Sequence, residues 1–69
     1  MKQNLAFALK WFERASEAGD AEAFYELGLM HEGGLGVPTD WGEARRMYQR
    51  ALEAGYSAAA GKLKSRRQG

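Results

Sequence analysis

Few side chains in this sequence are of a kind and spacing that do chemistry. His31-Glu32 opens like the H-E-x-x-H helix, where two histidines one turn apart hold zinc and the glutamate polarises water. Position 35 is Leu and His31 is the single histidine, so the second ligand is missing and a packed, half-buried histidine is expected. Gly34-Leu35-Gly36 resembles part of a phosphate-cradling loop. It follows a helical pattern rather than a strand, lacks the third glycine and has no adjoining Lys-Ser or Lys-Thr, so it reads as a connector shaped by left-handed glycines. Ser16, Ser57 and Ser65 have no lysine three residues on, which removes the acylating Ser-x-x-Lys arrangement. Glu22 and Glu26 stand one turn apart. Nothing around them in the sequence builds a pocket to separate their pKa values, so they read as a solvated acidic face rather than an acid–base pair. With no cysteine there is neither a disulfide nor a thiolate metal site. No catalytic, cofactor-binding or metal-binding residue is expected, and an enzyme is not.

The elements that carry these residues come in two copies. Ala8–Gly19 (ALKWFERASEAG) and Ala44–Gly55 (ARRMYQRALEAG) match at an offset of 36 residues. Ala8/Ala44, Arg14/Arg50, Ala15/Ala51, Glu17/Glu53, Ala18/Ala54 and Gly19/Gly55 are identical, and Phe12/Tyr48 agree in kind. Such a helical period is the signature of stacked helix pairs. A first helix is expected from about Leu5 to Ala18, with Asn4 as N-cap and Gly19 as its left-handed stop. Asp20 caps a second helix, in which mid-helix Gly28 predicts close approach of another helix backbone. Gly33, Gly34 and Gly36 are expected at positive φ, and Val37, ahead of Pro38, extended. Asp40 and Glu43 form a capping-box pattern for a third, amphipathic helix that ends at Gly55. Ser57 to about Arg67 repeats the second helix in weakened, polar form. Trp11, Phe12, Trp41 and Tyr48 fall in the apolar stripes and are expected in the core.

Length and charge bound the partners. Sixty-nine residues make one small domain, and such a chain buries only about 60% of its extended surface. Residues 1–40 carry three bases against seven acids, a charge of −4; residues 41–69 carry seven bases against two acids, +5. The chain is thus polar along its length. No signal peptide is evident, and no run approaches the ~18 apolar residues of a membrane span. No membrane partner is expected, and a cytoplasmic location is favoured. Arg45, Arg46 and Arg50 with the terminal Lys/Arg cluster are of a type that contacts phosphates. Aromatic side chains do not interleave with them, so nucleic-acid contact through the basic C-terminal half is the lesser alternative.

At this point the residues resemble the Sel-one-like repeat proteins, relatives of the tetratricopeptide repeat. Ala21, Ala23, Tyr25, Leu27, Gly28 and Met30 fill the first part of that pattern. Gly34, Gly36, Val37 and Asp40 fill its connector, and Ala44, Tyr48, Ala51 and Gly55 its last part. Ala8, Trp11, Phe12, Ala15 and Gly19 fill an earlier copy of the last part, so the frame opens on the second helix of a repeat. His31 and Met47 stand where the family has Tyr and Trp. The resemblance implies an all-α fold, a short α-solenoid of antiparallel helix pairs with three firm helices and a weak fourth. It implies a non-catalytic adaptor that binds a protein or peptide, often in bacteria. A single domain over residues 1–69 is expected, of one and a half to two repeats with its core in 4–63.

The expected contact surface is the outward arc of the second helix, Glu22, Glu26 and Leu29, with Lys62 beside it at the repeat offset. Phe7 and Leu9, whose repeat partners are the charged Glu43 and Arg45, are expected to form a second packing surface for a homodimer. The alternative is a purely structural fragment of a longer array.

Overall fold

The computed structural model describes residues 4–65. Four helices follow one another: α1 (Leu5–Glu17), α2 (Ala21–Gly33), α3 (Trp41–Glu53) and α4 (Ala58–Ser65). No strand occurs among the described residues. The last two residues of the expected fourth helix, 66 and 67, lie outside them.

Each boundary is built from local hydrogen bonds. The Asn4 side chain accepts from the Phe7 amide at 3.0 Å, Asp20 from Glu22 and Ala23 at 3.0 and 3.4 Å, and Asp40 from Glu43 at 3.1 Å. These are N-caps, which satisfy amides that have no partner within the helix. The two repeat stops are the same construction. Gly19 (φ +89°) donates to Ser16 and Asp20 to Ala15; 36 residues on, Gly55 (φ +104°) donates to Leu52 and Tyr56 to Ala51. A side chain at either glycine would be strained, which is why the helices end there.

Packing is serial. α1 lies on α2, α2 on α3 and α3 on α4, with the α2–α3 contact the most extensive. Ala23, Leu27 and Met30 of α2, Ala44, Tyr48 and Ala51 of α3, and Ala59 of α4 are buried. Tyr48 is wholly enclosed. Its ring centroid lies 5.6 Å from that of Tyr25 and 5.9 Å from that of Trp41, and Tyr25 continues to Tyr56 at 4.9 Å. Rings at such spacings bury large areas in tilted contact, which a core this thin needs.

Four local expectations change. Gly28 faces a ring, not a backbone: a Cβ built there would stand 2.6 Å from Tyr48 Cδ1 and 2.9 Å from its Cζ. Gly33 is the last residue of α2 and does not adopt positive φ; Gly34 and Gly36 do. The capping box at α3 is half made, because the Asp40 amide donates to the His31 carbonyl at 2.9 Å instead of to Glu43. That bond closes the connector onto α2. Trp11 is 62% exposed and not in the core.

Candidate functional site

One carboxylate of the second helix reaches both the third and the fourth. Glu32, at the end of α2, accepts a 2.6 Å hydrogen bond from the Tyr48 hydroxyl and stands 3.4 Å from Lys62 Nζ of α4. Lys62 also lies 5.9 Å from the centre of the Tyr48 ring. Charge and hydrogen bond here act together at a half-buried position, where each is stronger than at the surface. Lys62, expected as a contact residue, is therefore engaged within the molecule. Leu29 likewise is half-buried and packs against the core cluster of α3 and α4. Neither projects outward as the sequence pattern suggested. Of the expected contact residues on α2, Glu22 is exposed and Glu26, like Leu29, half-buried.

Glu22 and Glu26 are not isolated on α2. With Asp20 and Ala23 they form one side of a shallow cleft of about 320 Å³ whose other side is Trp11, Phe12 and Ala15 of α1. The apolar part continues along α1 as a cleft of about 360 Å³ lined by Phe7, Ala8, Trp11 and Phe12. Phe7 is 65% exposed. The result is one continuous surface, aromatic along α1 and acidic along α2. Tyr56, which packs against Tyr25, has its phenol raised above the usual value by desolvation, then by Glu22, Tyr25 and Glu26.

Leu9 does not belong to this surface. Two residues along a helix is about 200° around it, so Leu9 points away from Phe7, and it is half-buried. Phe7 shares its cleft with Trp11 and not with Leu9. Sequence reasoning placed Trp11 in the core because it falls in the apolar stripe of its helix with Ala8, Phe12 and Ala15. Exposure depends on what lies over the helix, and phase carries no signal for that.

A wider cleft of about 610 Å³ separates α1 from α3 over the floor of α2, bounded among others by Glu13, Glu17, Phe24, His31, Arg46 and Arg50. His31 is half-buried there, and no group of three His, Asp or Glu side chains among the described residues is placed to hold a metal ion. Arg50 spans its rim with the guanidinium 5.5 Å from the Phe24 ring centre. Arg46 stands 4.0 Å from Glu43 at an exposed site, which is worth little to stability. No described helix is long and apolar enough to cross a membrane.

The geometry is that of antiparallel helices packed in series, and comparison with known proteins agrees. The Sel1 repeat pattern matches residues 1–20 and 21–56. The chain is 46% identical over 56 residues to the chitin synthase regulator SKT5 of Malassezia restricta, covering 81% of this chain and 4% of that protein. It is 36% identical over 58 residues to DAP3-binding cell death enhancer 1 of Rattus norvegicus, covering 84% of this chain and 11% of the relative. Chitin synthase regulatory factor 3 of Schizosaccharomyces pombe is 39% identical over 56 residues, covering 81% and 6%. The chain thus spans a small fraction of the curated relatives it matches. No solved structure matches it. These relatives come from fungi and a mammal, so the bacterial association implied by the resemblance is not supported.

Proposed function

The chain belongs to the Sel1 repeat family, and from that premise we propose that it is a non-catalytic adaptor module that binds a protein partner at its N-terminal end. One observation carries this reading: exposed Phe7 and Trp11 run directly into the carboxylates of Glu22 and Glu26 on one surface. Apolar anchors beside charge are the usual make-up of an interaction patch, the rings supplying affinity and the charges orientation and on-rate. A partner segment that is apolar with a basic rim suits it. Leu29 and Lys62 support that surface from behind by holding α2 to α3 and α4. The relatives' names, a regulator of chitin synthase and a DAP3-binding protein, concern action on other proteins.

Affinity capture with the wild-type chain and with a Glu22→Lys/Glu26→Lys variant tests the reading. A protein held by the first and lost from the second, with matched thermal unfolding, is the expected result. Capture that ignores the substitutions would refute the assignment. A second reading has its own support. Because the chain spans 4 to 11% of its relatives, a spacer repeat within a longer array is that second reading; a spacer would capture nothing saturable. Affinity that falls steeply with salt towards nucleic acid, and is absent towards protein, would instead favour the basic half.

A further inference from the structure

The cleft between α1 and α3 has both walls and its floor within the described residues, and the walls differ in sign. α1 lines it with Glu13 and Glu17, α3 with Arg46 and Arg50, over Phe24 on the α2 floor. All four charged side chains are exposed. No ion pair among the described residues joins one wall to the other. Arg46 stands 4.0 Å from Glu43 of its own helix, a contact too exposed to hold it. Arg50 is oriented instead by the Phe24 ring, whose centre lies 5.5 Å from the guanidinium. A guanidinium stacked on a ring keeps its N–H edge for a carboxylate. At about 610 Å³, the cleft has the size of a ligand site.

The repeat offset fixes how the four charges are staggered. α1 and α3 both pack antiparallel on α2 and so run parallel to each other. The 36-residue equivalence then sets Arg46 and Arg50 level with Lys10 and Arg14. Along the helix direction Arg46, Glu13, Arg50 and Glu17 stand at about 0, 4.5, 6 and 10.5 Å, at about 1.5 Å per residue. Their order alternates between the two walls. An extended chain sends successive side chains to opposite sides and places four residues at about 0, 3.3, 6.6 and 9.9 Å. Each position falls within about 1.2 Å of one of the four charges, a gap that long side chains span. Such a chain needs an acid for each arginine and a base for each glutamate, in strict alternation. Glu53, level with Glu17 and also lining the cleft, favours the last base from the opposite wall.

We propose that the α1–α3 cleft binds an extended segment of a partner protein in which acidic and basic residues alternate, its acids on Arg46 and Arg50 and its bases on Glu13 and Glu17. This is a second surface, sharing no lining residue with that of Phe7, Trp11, Glu22 and Glu26. Amide chemical shifts of the intact chain, titrated at low salt with end-blocked peptides, test it. Concentrations must reach the millimolar range, because exposed ion pairs are individually weak. The peptide Gly-Glu-Lys-Glu-Lys-Gly is compared with its block isomer Gly-Glu-Glu-Lys-Lys-Gly, which has the same composition and net charge. The alternating peptide should bind at least about threefold more tightly, shift the amides around the four charges, and weaken as ionic strength rises. Arg50→Gln should weaken it by at least about twofold, and Arg50→Lys by less. Arg46→Glu/Arg50→Glu makes both walls acidic and should abolish the preference for alternation, with thermal unfolding recorded to show the variant folded. Glu22→Lys/Glu26→Lys should leave the binding unchanged. Absence of saturable shifts, equal binding of the two isomers, or a preference that survives Arg46→Glu/Arg50→Glu would each overturn the proposal. Loss of binding in Glu22→Lys/Glu26→Lys would place the peptide on the other surface, with the same consequence. Tighter binding by a helix-forming peptide whose acids and bases each recur four residues apart would make the occupant a helix and also overturn it. None of these failures touches the adaptor reading, which stands or falls on protein capture by Glu22 and Glu26.

Discussion

Gly28→Ala adds one methyl group in the middle of α2, and two effects of opposite sign follow. Alanine is the better helix former by about 1 kcal/mol. The new Cβ, however, meets the Tyr48 ring at 2.6 and 2.9 Å, against about 3.5–4.0 Å for an unstrained carbon pair. Tyr48 Cε1 stands closer still, so the ring must move by about 1 Å or more, and it has nowhere to go. It is wholly buried, flanked by Tyr25 and Trp41, and its hydroxyl is held by Glu32 at 2.6 Å. Overpacking of this kind costs about 1–3 kcal/mol, and the rigid surroundings place it at the upper end. A net loss of about 2 kcal/mol is expected, which for a domain this size lowers the melting temperature by roughly 8–16 °C. Circular dichroism at 222 nm during heating, with a urea midpoint as a second measure, reads the sign directly. Gly61→Ala is the internal control: it is also a helical glycine, but nothing lies within 4 Å of its Cβ. It should stabilise by a few tenths of a kcal/mol up to about 1. A Gly28→Ala midpoint equal to or above wild type would show that the ring yields freely, and the close-packing argument would be wrong.

Asp40→Ala should cost about 1 kcal/mol through loss of the N-cap of α3, whereas Glu43→Ala should cost less than about 0.5 kcal/mol in denaturant unfolding, because the Asp40 amide is taken by the His31 carbonyl. A large Glu43→Ala effect would restore the full capping box. Glu32→Ala should destabilise by about 1–3 kcal/mol by taking the acceptor from the enclosed Tyr48 hydroxyl and the counter-charge from Lys62; amide exchange in α4 that is no faster in the variant would contradict this. Tyr56 has a raised folded-state pKa, so its contribution to stability is complete below the unfolded value near 10 and is lost as pH rises through the folded one. Tyr56→Phe should therefore lose less stability than wild type between about pH 9 and 11, and identical pH profiles for the two proteins would refute the shift.

The helix boundaries were legible without coordinates. Asn4, Asp20 and Asp40 cap, and Gly19 and Gly55 stop, through bonds that reach no further than a few residues. Sequence encodes such interactions directly, and the 36-residue repeat follows because both copies carry the same local signals. What covers each helix is another matter. Trp11 and Met47 share a helical phase, yet Trp11 is 62% exposed while Met47 is half-buried beside α2. Gly28 announced a close approach in the sequence but not that a ring made it. Lys62 looked like a free surface charge until the fold brought Glu32 to it from thirty residues away, and the Asp40 amide found the His31 carbonyl across a glycine connector rather than its neighbour Glu43. Periodicity says which side of a helix is apolar. Only tertiary structure decides whether a neighbour lies there, because burial, ring contacts and ion pairs between distant residues depend on how whole helices pack, and no run of residues a few positions long contains that information.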